Sequence, residues 1–313
     1  MTPASSTDSS FDPGLTRQYS GPLLRAINKD GSFNVQRTGL RSLAGDIYIG
    51  MVRIPWLRFL AYVTAAYLVV NIIFAGVFLA LGPRSLSVSA RDLGLGEFGR
   101  AFFFSVQTLT TVGYGSVYPV GAAANIVAGL EAAVGLMGFA LATGLLFARF
   151  SGPNSKLVFS ETMVVAPSAD GSGTSLQFRI ANQRSNVLMD VEARLMLSTI
   201  ERGPDGELKR NFRNLPLEIK QINFLALTWT VVHAITQESP LYGKSSEDLK
   251  ELQAEVMILI KGFDDSFSQV VHTRYSYRWD EIQWSARFVP AFTTAPEGHM
   301  ILHVSKVGNT VRV

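Results

Sequence analysis

From Phe59 to Leu81 the run FLAYVTAAYLVVNIIFAGVFLAL carries no charge, and from Ala122 to Phe150 the run AAANIVAGLEAAVGLMGFALATGLLFARF carries only Glu131 before Arg149. At a helical rise of about 1.5 Å per residue, the first run spans roughly the hydrocarbon thickness of a bilayer. The second is longer, so it must tilt or project beyond the membrane. Both are read as transmembrane helices, the first ended by Pro83 and the glycine-rich stretch to Gly99. Between them, the apolar segment AFFFSVQTLTTV is too short to span and meets the break Gly113-Tyr114-Gly115 at once. Non-helical backbone at membrane depth is tolerated only where protein or a water-filled cavity satisfies it. A re-entrant half-helix followed by a loop fits that constraint.

The apolar excess ends at Phe150. With 313 residues, 47% of them hydrophobic, the chain has room for two domains. A net charge of +3 from scattered basic residues argues against a nucleic-acid surface. With no cysteine there is no disulfide, thiolate metal site or cysteine nucleophile. The first 25 residues lack an apolar core for a cleaved signal and are rich in Ser, Thr, Pro and Gly, which reads as a disordered tail. Asp46 to Arg53 (DIYIGMVR), followed by Pro55-Trp56, reads as a short amphipathic helix on the membrane surface; proline at 55 opposes a continuous helix into the first span. After the linker Ser151-Gly152-Pro153-Asn154 the periodicity turns from helical to alternating. Ser175–Ile180, Val191–Leu197, Val256–Ile260 and Val270–Tyr277 read as strands, with turns at Pro204-Asp205-Gly206 and Pro296-Glu297-Gly298. Short strands, frequent turns and no long helix point to a β-sandwich. Arg41, Arg53 and Arg58 before the first span, and Arg149 and Lys156 after the second, mildly favour cytoplasmic termini over Arg84, Arg91 and Arg100 between the spans.

The six residues Thr110 to Gly115, TTVGYG, have almost no reactive side chain. A carbonyl-lined passage needs alternating backbone conformations, and glycine accepts positive φ at the alternate positions 113 and 115. Thr111 adds a hydroxyl, so Thr111 to Tyr114 offer stacked oxygens if several copies surround an axis. Neutral, hard oxygen ligands suit a dehydrated monovalent cation and not a transition metal. Two other readings stand beside this one. The spans could merely tether a binding module, which leaves TTVGYG unexplained, or the sandwich could be an enzyme. The latter lacks a catalytic constellation: His233, His272, His299 and His303 show no metal-ligand spacing, and no base stands by Ser239-Pro240-Leu241-Tyr242-Gly243.

These residues resemble the inward-rectifier potassium channels, most closely their prokaryotic branch. FFFSVQTLTTVGYG (Phe102–Gly115), TGLLFARF (Thr143–Phe150), HAITQESPLYG (His233–Gly243) and DEIQWSARF (Asp280–Phe288) look like family segments in family order. The resemblance implies a two-transmembrane-helix potassium-channel pore with a re-entrant pore helix, followed by a cytoplasmic immunoglobulin-like β-sandwich, a membrane α plus all-β fold. On this reading residues 1–40 are an N-terminal cytoplasmic tail, partly disordered. Residues 41–151 are the pore domain, with outer helix 57–82, pore helix 98–110, filter 111–115 and inner helix 122–150. Residues 152–313 are the regulatory sandwich. It implies a homotetramer in a bacterial inner membrane with both termini cytoplasmic, K+ as the permeant ion at Thr111, Val112, Gly113 and Tyr114 with Gly115 completing the filter, no cofactor, and no enzymatic activity. Four such loops form the carbonyl filter of potassium channels. Phe147 takes the position of a hydrophobic gate. Gly135, Gly138 and Gly144 permit either bending or close packing.

The chain also departs from its relatives. The cavity acid of strong rectifiers is matched by Phe139, so cavity block is expected to be weak. In the cytoplasmic pore Asp190 matches one acid, Lys261 stands where another is expected, and Gly262 to Gln269 form the constricting loop, with Asp264 and Asp265 as compensating acids. The pore-helix glutamate and its basic partner beyond the filter become Gln107 and Val117, so hydrogen bonding by Gln107, with Thr110 and Glu131, has to support the filter. Glu131 is read as facing the filter's protein scaffold or, alternatively, the conduction path, since a lipid-exposed acid is costly. In place of a lysine-rich anionic-lipid site, only Arg53, Arg58, Arg149 and Lys156 are candidates for membrane-lipid headgroups.

Overall fold

In a computed structural model, residues 14–18, 21, 25–36, 38, 44–88, 94, 96–151, 156–167 and 173–313 are described. Their contacts divide them into two units, one within 39–152 and the other combining 1–38 with 153–313.

In the first unit, α1 (Ala44–Arg53) stops at Ile54-Pro55, and α2 (Trp56–Ala80) starts beyond the proline. Pro55 is extended, at φ −55° and ψ 148°, which keeps the two helices from fusing. β1 (Leu86–Val88) leads to α3 (Glu97–Leu109), and after the TTVGYG loop β2 (Val117–Pro119) pairs antiparallel with β1. α4 (Gly121–Phe150) completes the unit. The three longer helices begin and end within two residues of the expected 57–82, 98–110 and 122–150. Their common core is small: Ala75 and Phe78 of α2, Ala101 and Phe104 of α3, Val117 and Ala124. Phe78 and Phe104 meet edge to face, with ring centroids 5.0 Å apart. Elsewhere α2 and α4 leave their apolar side chains exposed in the single chain, among them Leu57, Ile73, Leu136, Phe139 and Leu141. Both are long and apolar enough to cross a bilayer, and such exposure suits lipid or further copies better than the core of a soluble fold.

The second unit is a β-sandwich. Its strands are β3 (Leu157–Phe159), β4 (Met163–Pro167), β5 (Thr174–Asn182), β6 (Leu188–Arg202), β7 (Leu208–Leu215), β8 (Gln221–Leu225), β9 (Thr228–Ile235), β10 (Glu255–Asp264), β11 (Gln269–Arg278) and β12 (Ile282–Trp284). One sheet runs β11-β10-β6-β7 with β8 also on β6; the other runs β12-β4-β5-β3 with β9 also on β5. Two antiparallel pairs follow, β13 (Ala286–Phe288) with β16 (Thr310–Arg312) and, between them in the chain, β14 (Phe292–Thr294) with β15 (Met300–Leu302). Alternation explains the packing: Leu195, Leu197, Ile258 and Tyr277 of the first sheet face Phe178, Ile180 and Val231 of the second in one core. Tyr277 donates its hydroxyl to the Ser160 carbonyl at 2.7 Å, and burial pushes its pKa well up, so it stays neutral.

The amino-terminal tail differs from the sequence reading. Residues 25–36 pack on the sandwich: Ala26 and Ile27 are buried against Met257, on the sheet face opposite the Ile258 core. The Glu255 carboxylate accepts the Ala26 N–H at 2.9 Å and the Ile27 N–H at 3.3 Å, and Ser276 Oγ donates to Ile27 O at 2.7 Å. Farther back, Arg210 N–H donates to Arg17 O at 2.9 Å. Polar composition suggests disorder for the first 25 residues, yet Arg17 among them bonds to the sheet, and the segment that follows is held by two buried apolar residues and by sheet side chains that bond its backbone. Residues 1–13 lie outside the described residues, as do 152–154 of the expected linker.

Candidate functional site

The TTVGYG loop leaves the C-terminal end of α3. Every described peptide bond is trans, and Thr111, Gly113 and Gly115 have φ of 58°, 57° and 74°. Alternate residues therefore occupy the left-handed region, including Thr111, which the sequence marks for its hydroxyl and not for a positive φ. Gln107 organises the loop twice over. Its backbone carbonyl accepts the N–H of Val112 at 2.9 Å and of Gly113 at 3.1 Å. Its side-chain Oε1 accepts the Tyr114 N–H at 2.9 Å, and its Nε2 donates to Val117 O at 3.3 Å. In a trans peptide each carbonyl opposes the N–H that follows it. Three N–H groups held toward Gln107 turn the carbonyls of Thr111, Val112 and Gly113 the other way, off the protein scaffold. Residues 110–115 are exposed in the single chain, as a surface facing an axis or solvent must be. Gln107 itself is buried. Thr110 makes a local bond, Oγ1 to Val106 O at 2.7 Å, and supports the end of α3 rather than the loop.

Glu131 is fully buried and hydrogen bonds to Ser105 of α3, which also meets Asn71 of α2. It faces scaffold, yet touches no loop residue among the described hydrogen bonds. Sequence reading missed Asn71 and Ser105; the signal was Asn71 as the one amide inside an otherwise apolar span. Gly135 is a packing glycine: a β-carbon there would lie 2.0 Å from Leu109 O, whereas Gly138 and Gly144 meet nothing within 4 Å in the chain. Phe147 and Phe139 are both exposed on α4.

Arg149 corrects an expectation. Its guanidinium donates to the carbonyls of Met51 at 2.6 Å, Val52 at 2.8 Å and Ile54 at 2.7 Å, and lies 4.6 Å from the ring centroids of Trp56 and Phe59. It caps the C-terminal end of α1, where free carbonyls favour a cation, and is not available as a headgroup ligand. Arg58 and Lys156 are exposed; the Arg53 side chain lies outside the described residues.

In the sandwich, Asp190, Glu192, Gln221, Lys261 and Gly262 line an open cavity of about 440 Å³. Lys261 stands between Glu192 on β6 and His272 on β11 in one cross-strand row. The Arg194 side chain, hydrogen bonded to Glu192, lowers the Glu192 carboxyl, with Lys261 contributing charge. Asp264 is not a lining acid. It is buried, accepting from Asn186 Nδ2 at 2.8 Å and from the Ser266 N–H at 3.1 Å, and it shapes the turn between β10 and β11. The expected loop 262–269 is half strand, its turn being Asp265 to Ser268 between β10 and β11; Asp265 is exposed. His233 is buried, its Nδ1–H donating to Pro216 O at 2.6 Å and its Nε2 accepting from Ser239 Oγ at 2.8 Å. This pins the SPLYG turn. Burial lowers the His233 pKa against the opposing pull of Pro216 O and Glu218, so the ring is neutral.

The inward rectifier potassium channel C-terminal domain model matches residues 157–313, and an ion channel model matches 66–151. The inward rectifier potassium channel Kirbac3.1 of Paramagnetospirillum magnetotacticum is 38% identical over 90% of this chain and 94% of its own. The ATP-sensitive inward rectifier potassium channel 8 of Mus musculus is 26% identical, and that of Rattus norvegicus 27%, each over 93% of this chain and 75% of theirs. These are ion-channel families, not enzyme families. The two membrane-length helices, the short helix and loop between them and the β-rich C-terminal unit all agree, and the chain belongs to the inward rectifier potassium channel family.

Proposed function

We propose that four copies of this chain surround one axis and conduct K+ passively through the oxygens of Thr111, Val112, Gly113 and Tyr114, with Gly115 closing the filter. The observation that carries this reading is the Gln107 clamp: three anchored N–H groups leave three successive carbonyls facing away from α3. A ring of such carbonyls replaces the hydration shell of a monovalent cation. Because the N–H groups are fixed before an ion arrives, the oxygens need no reorganisation to receive it.

Phe147 forms the gate. Four exposed phenyl rings brought together on α4 close a water-filled path by dewetting. Arg149, two residues on, ties the end of α1 to α4, so a displacement of the surface helix is felt beside the gate. The sandwich gates the pore, both termini are cytoplasmic, and Arg58, Lys156 and Arg53 meet membrane lipid headgroups, anionic lipid included. In the cytoplasmic pore, Asp190, Asp265 and Gly262 line the ion path with Lys261. A lysine in the Glu192–Lys261–His272 row reduces the pull on polyvalent cations, and with Phe139 in the cavity rectification is weak.

Rubidium uptake into proteoliposomes tests the filter. Gly113→Ala puts a side chain on a residue at φ 57°, where L-residues are strained by roughly 1 kcal/mol or more. Potassium-competed uptake should be lost while the tetramer stays assembled; unchanged selective uptake would overturn the mechanism.

A further inference from the structure

Asn71, Ser105 and Glu131 belong to α2, α3 and α4, and all three are completely buried. Their polar atoms converge on one hydroxyl. Ser105 Oγ is 3.0 Å from Asn71 Oδ1 and is also hydrogen bonded to Glu131 Oε1. The Asn71 amide is oriented by its other end, since Nδ2 donates to Tyr67 O at 2.7 Å. That leaves Oδ1, an acceptor only, facing the serine.

The protons can be counted. A serine hydroxyl donates once and accepts through its lone pairs. With an ionised carboxylate, that single proton would serve two oxygens, and one contact would set lone pair against lone pair. The second carboxyl oxygen, Oε2, is buried without a hydrogen-bond partner among the described residues. A carboxylate so enclosed would be a buried charge with one shared donor, an arrangement that proteins rarely keep.

We propose that Glu131 is the neutral acid and a proton donor: its O–H goes to Ser105 Oγ, and the Ser105 O–H goes on to Asn71 Oδ1. Every contact then has one proton, and the chain runs in one direction from α4 through α3 to α2. Glu131 acts as a positioning residue. It holds α3 two positions before Gln107, whose backbone and side chain orient the loop, and it brings no charge to the rear of the filter. This deepens the filter reading above and rests on it only for the meaning of the loop; the protonation state is measured separately.

The test uses the full-length protein in lipid nanodiscs near neutral pH. The infrared difference spectrum between wild type and Glu131→Gln should show loss of a carboxylic-acid carbonyl stretch and no loss of carboxylate bands. Loss of carboxylate bands with no acid carbonyl would overturn the proposal. Ser105→Ala removes the acceptor of the acid's O–H, so the same acid band should shift; an unmoved band would contradict the chain. Glu131→Gln, which still offers N–H donors to Ser105, should keep selective rubidium uptake, whereas Glu131→Leu, which cannot donate, should reduce it. Equal loss in both would overturn a role through neutral hydrogen bonding. Because infrared absorption does not depend on conduction, failure here is distinguishable from failure of the filter.

Discussion

A β-carbon added at Gly135 would stand 2.0 Å from the Leu109 carbonyl oxygen, so α4 passes the end of α3 at a separation that only glycine permits. Glycine in a membrane helix is often read as a hinge, but here the backbone of a neighbouring helix accounts for it. Gly135→Ala must push the two helices apart just where α3 hands over to the TTVGYG loop. Overpacking of this kind costs about 1–3 kcal/mol or more. The tetramer's melting temperature and its rubidium uptake should both fall, while Gly138→Ala, with open space around it in the chain, should leave the melting temperature near wild type.

Gln107→Leu keeps the backbone clamp on Val112 and Gly113 but removes the acceptor of the Tyr114 N–H and the donor to Val117 O. An unpaired buried group costs about 1–3 kcal/mol, roughly tenfold or more in an equilibrium between ordered and disordered loop. K+ over Na+ selectivity should drop by a factor on the order of ten, measured as the reversal potential in mixed-ion bilayers. Gln107→Glu keeps an acceptor for Tyr114 and should lie between the two.

Arg149→Ala strips three carbonyls at the end of α1 of their donors. Hydrogen exchange over residues 47–54 should quicken in the variant, by the equivalent of about 2 kcal/mol of lost protection. Arg149→Lys should fail to restore it, because one ammonium cannot match a planar fork that reaches three acceptors and stacks on Trp56. Normal exchange in Arg149→Ala would show that α1 is held by other means.

Neutral His233 makes the sandwich sensitive to acid. Its folded pKa lies below the ordinary 6.5, burial being the main cause. The stabilisation is therefore complete above that value and is lost as pH falls toward the folded pKa, because the unfolded chain takes a proton that the folded ring refuses. Between about pH 7 and about pH 5.5 the wild type should lose more thermal stability than His233→Gln. Parallel curves for the two proteins would remove His233 from the account.

The two spans, the half-helix and the strands were legible because each rests on periodicity over many residues, and the loop because glycine at alternate positions is a backbone requirement. What escaped was decided by contacts between distant segments. Arg149 looks like any interfacial cation until the carbonyls of Met51 to Ile54 are brought to it. Asp264 looks like a solvent-facing acid, yet Asn186 and the amides of its own turn enclose it. Residues 25–36 look like tail because their hold on the sandwich comes from Glu255, more than two hundred residues away. Thr111 shows the limit of the glycine rule: its own φ of 58° completes the alternation.

The central claim is that the carbonyls of Thr111, Val112 and Gly113, turned outward by Gln107, are the ion's ligands. Anomalous diffraction from crystals of the full-length protein grown in rubidium tests it most directly. The account predicts a column of rubidium peaks on the symmetry axis, each within coordination distance of those carbonyl oxygens from every copy around it. Ordered protein with no anomalous density there, or rubidium bound only in the sandwich, would contradict it.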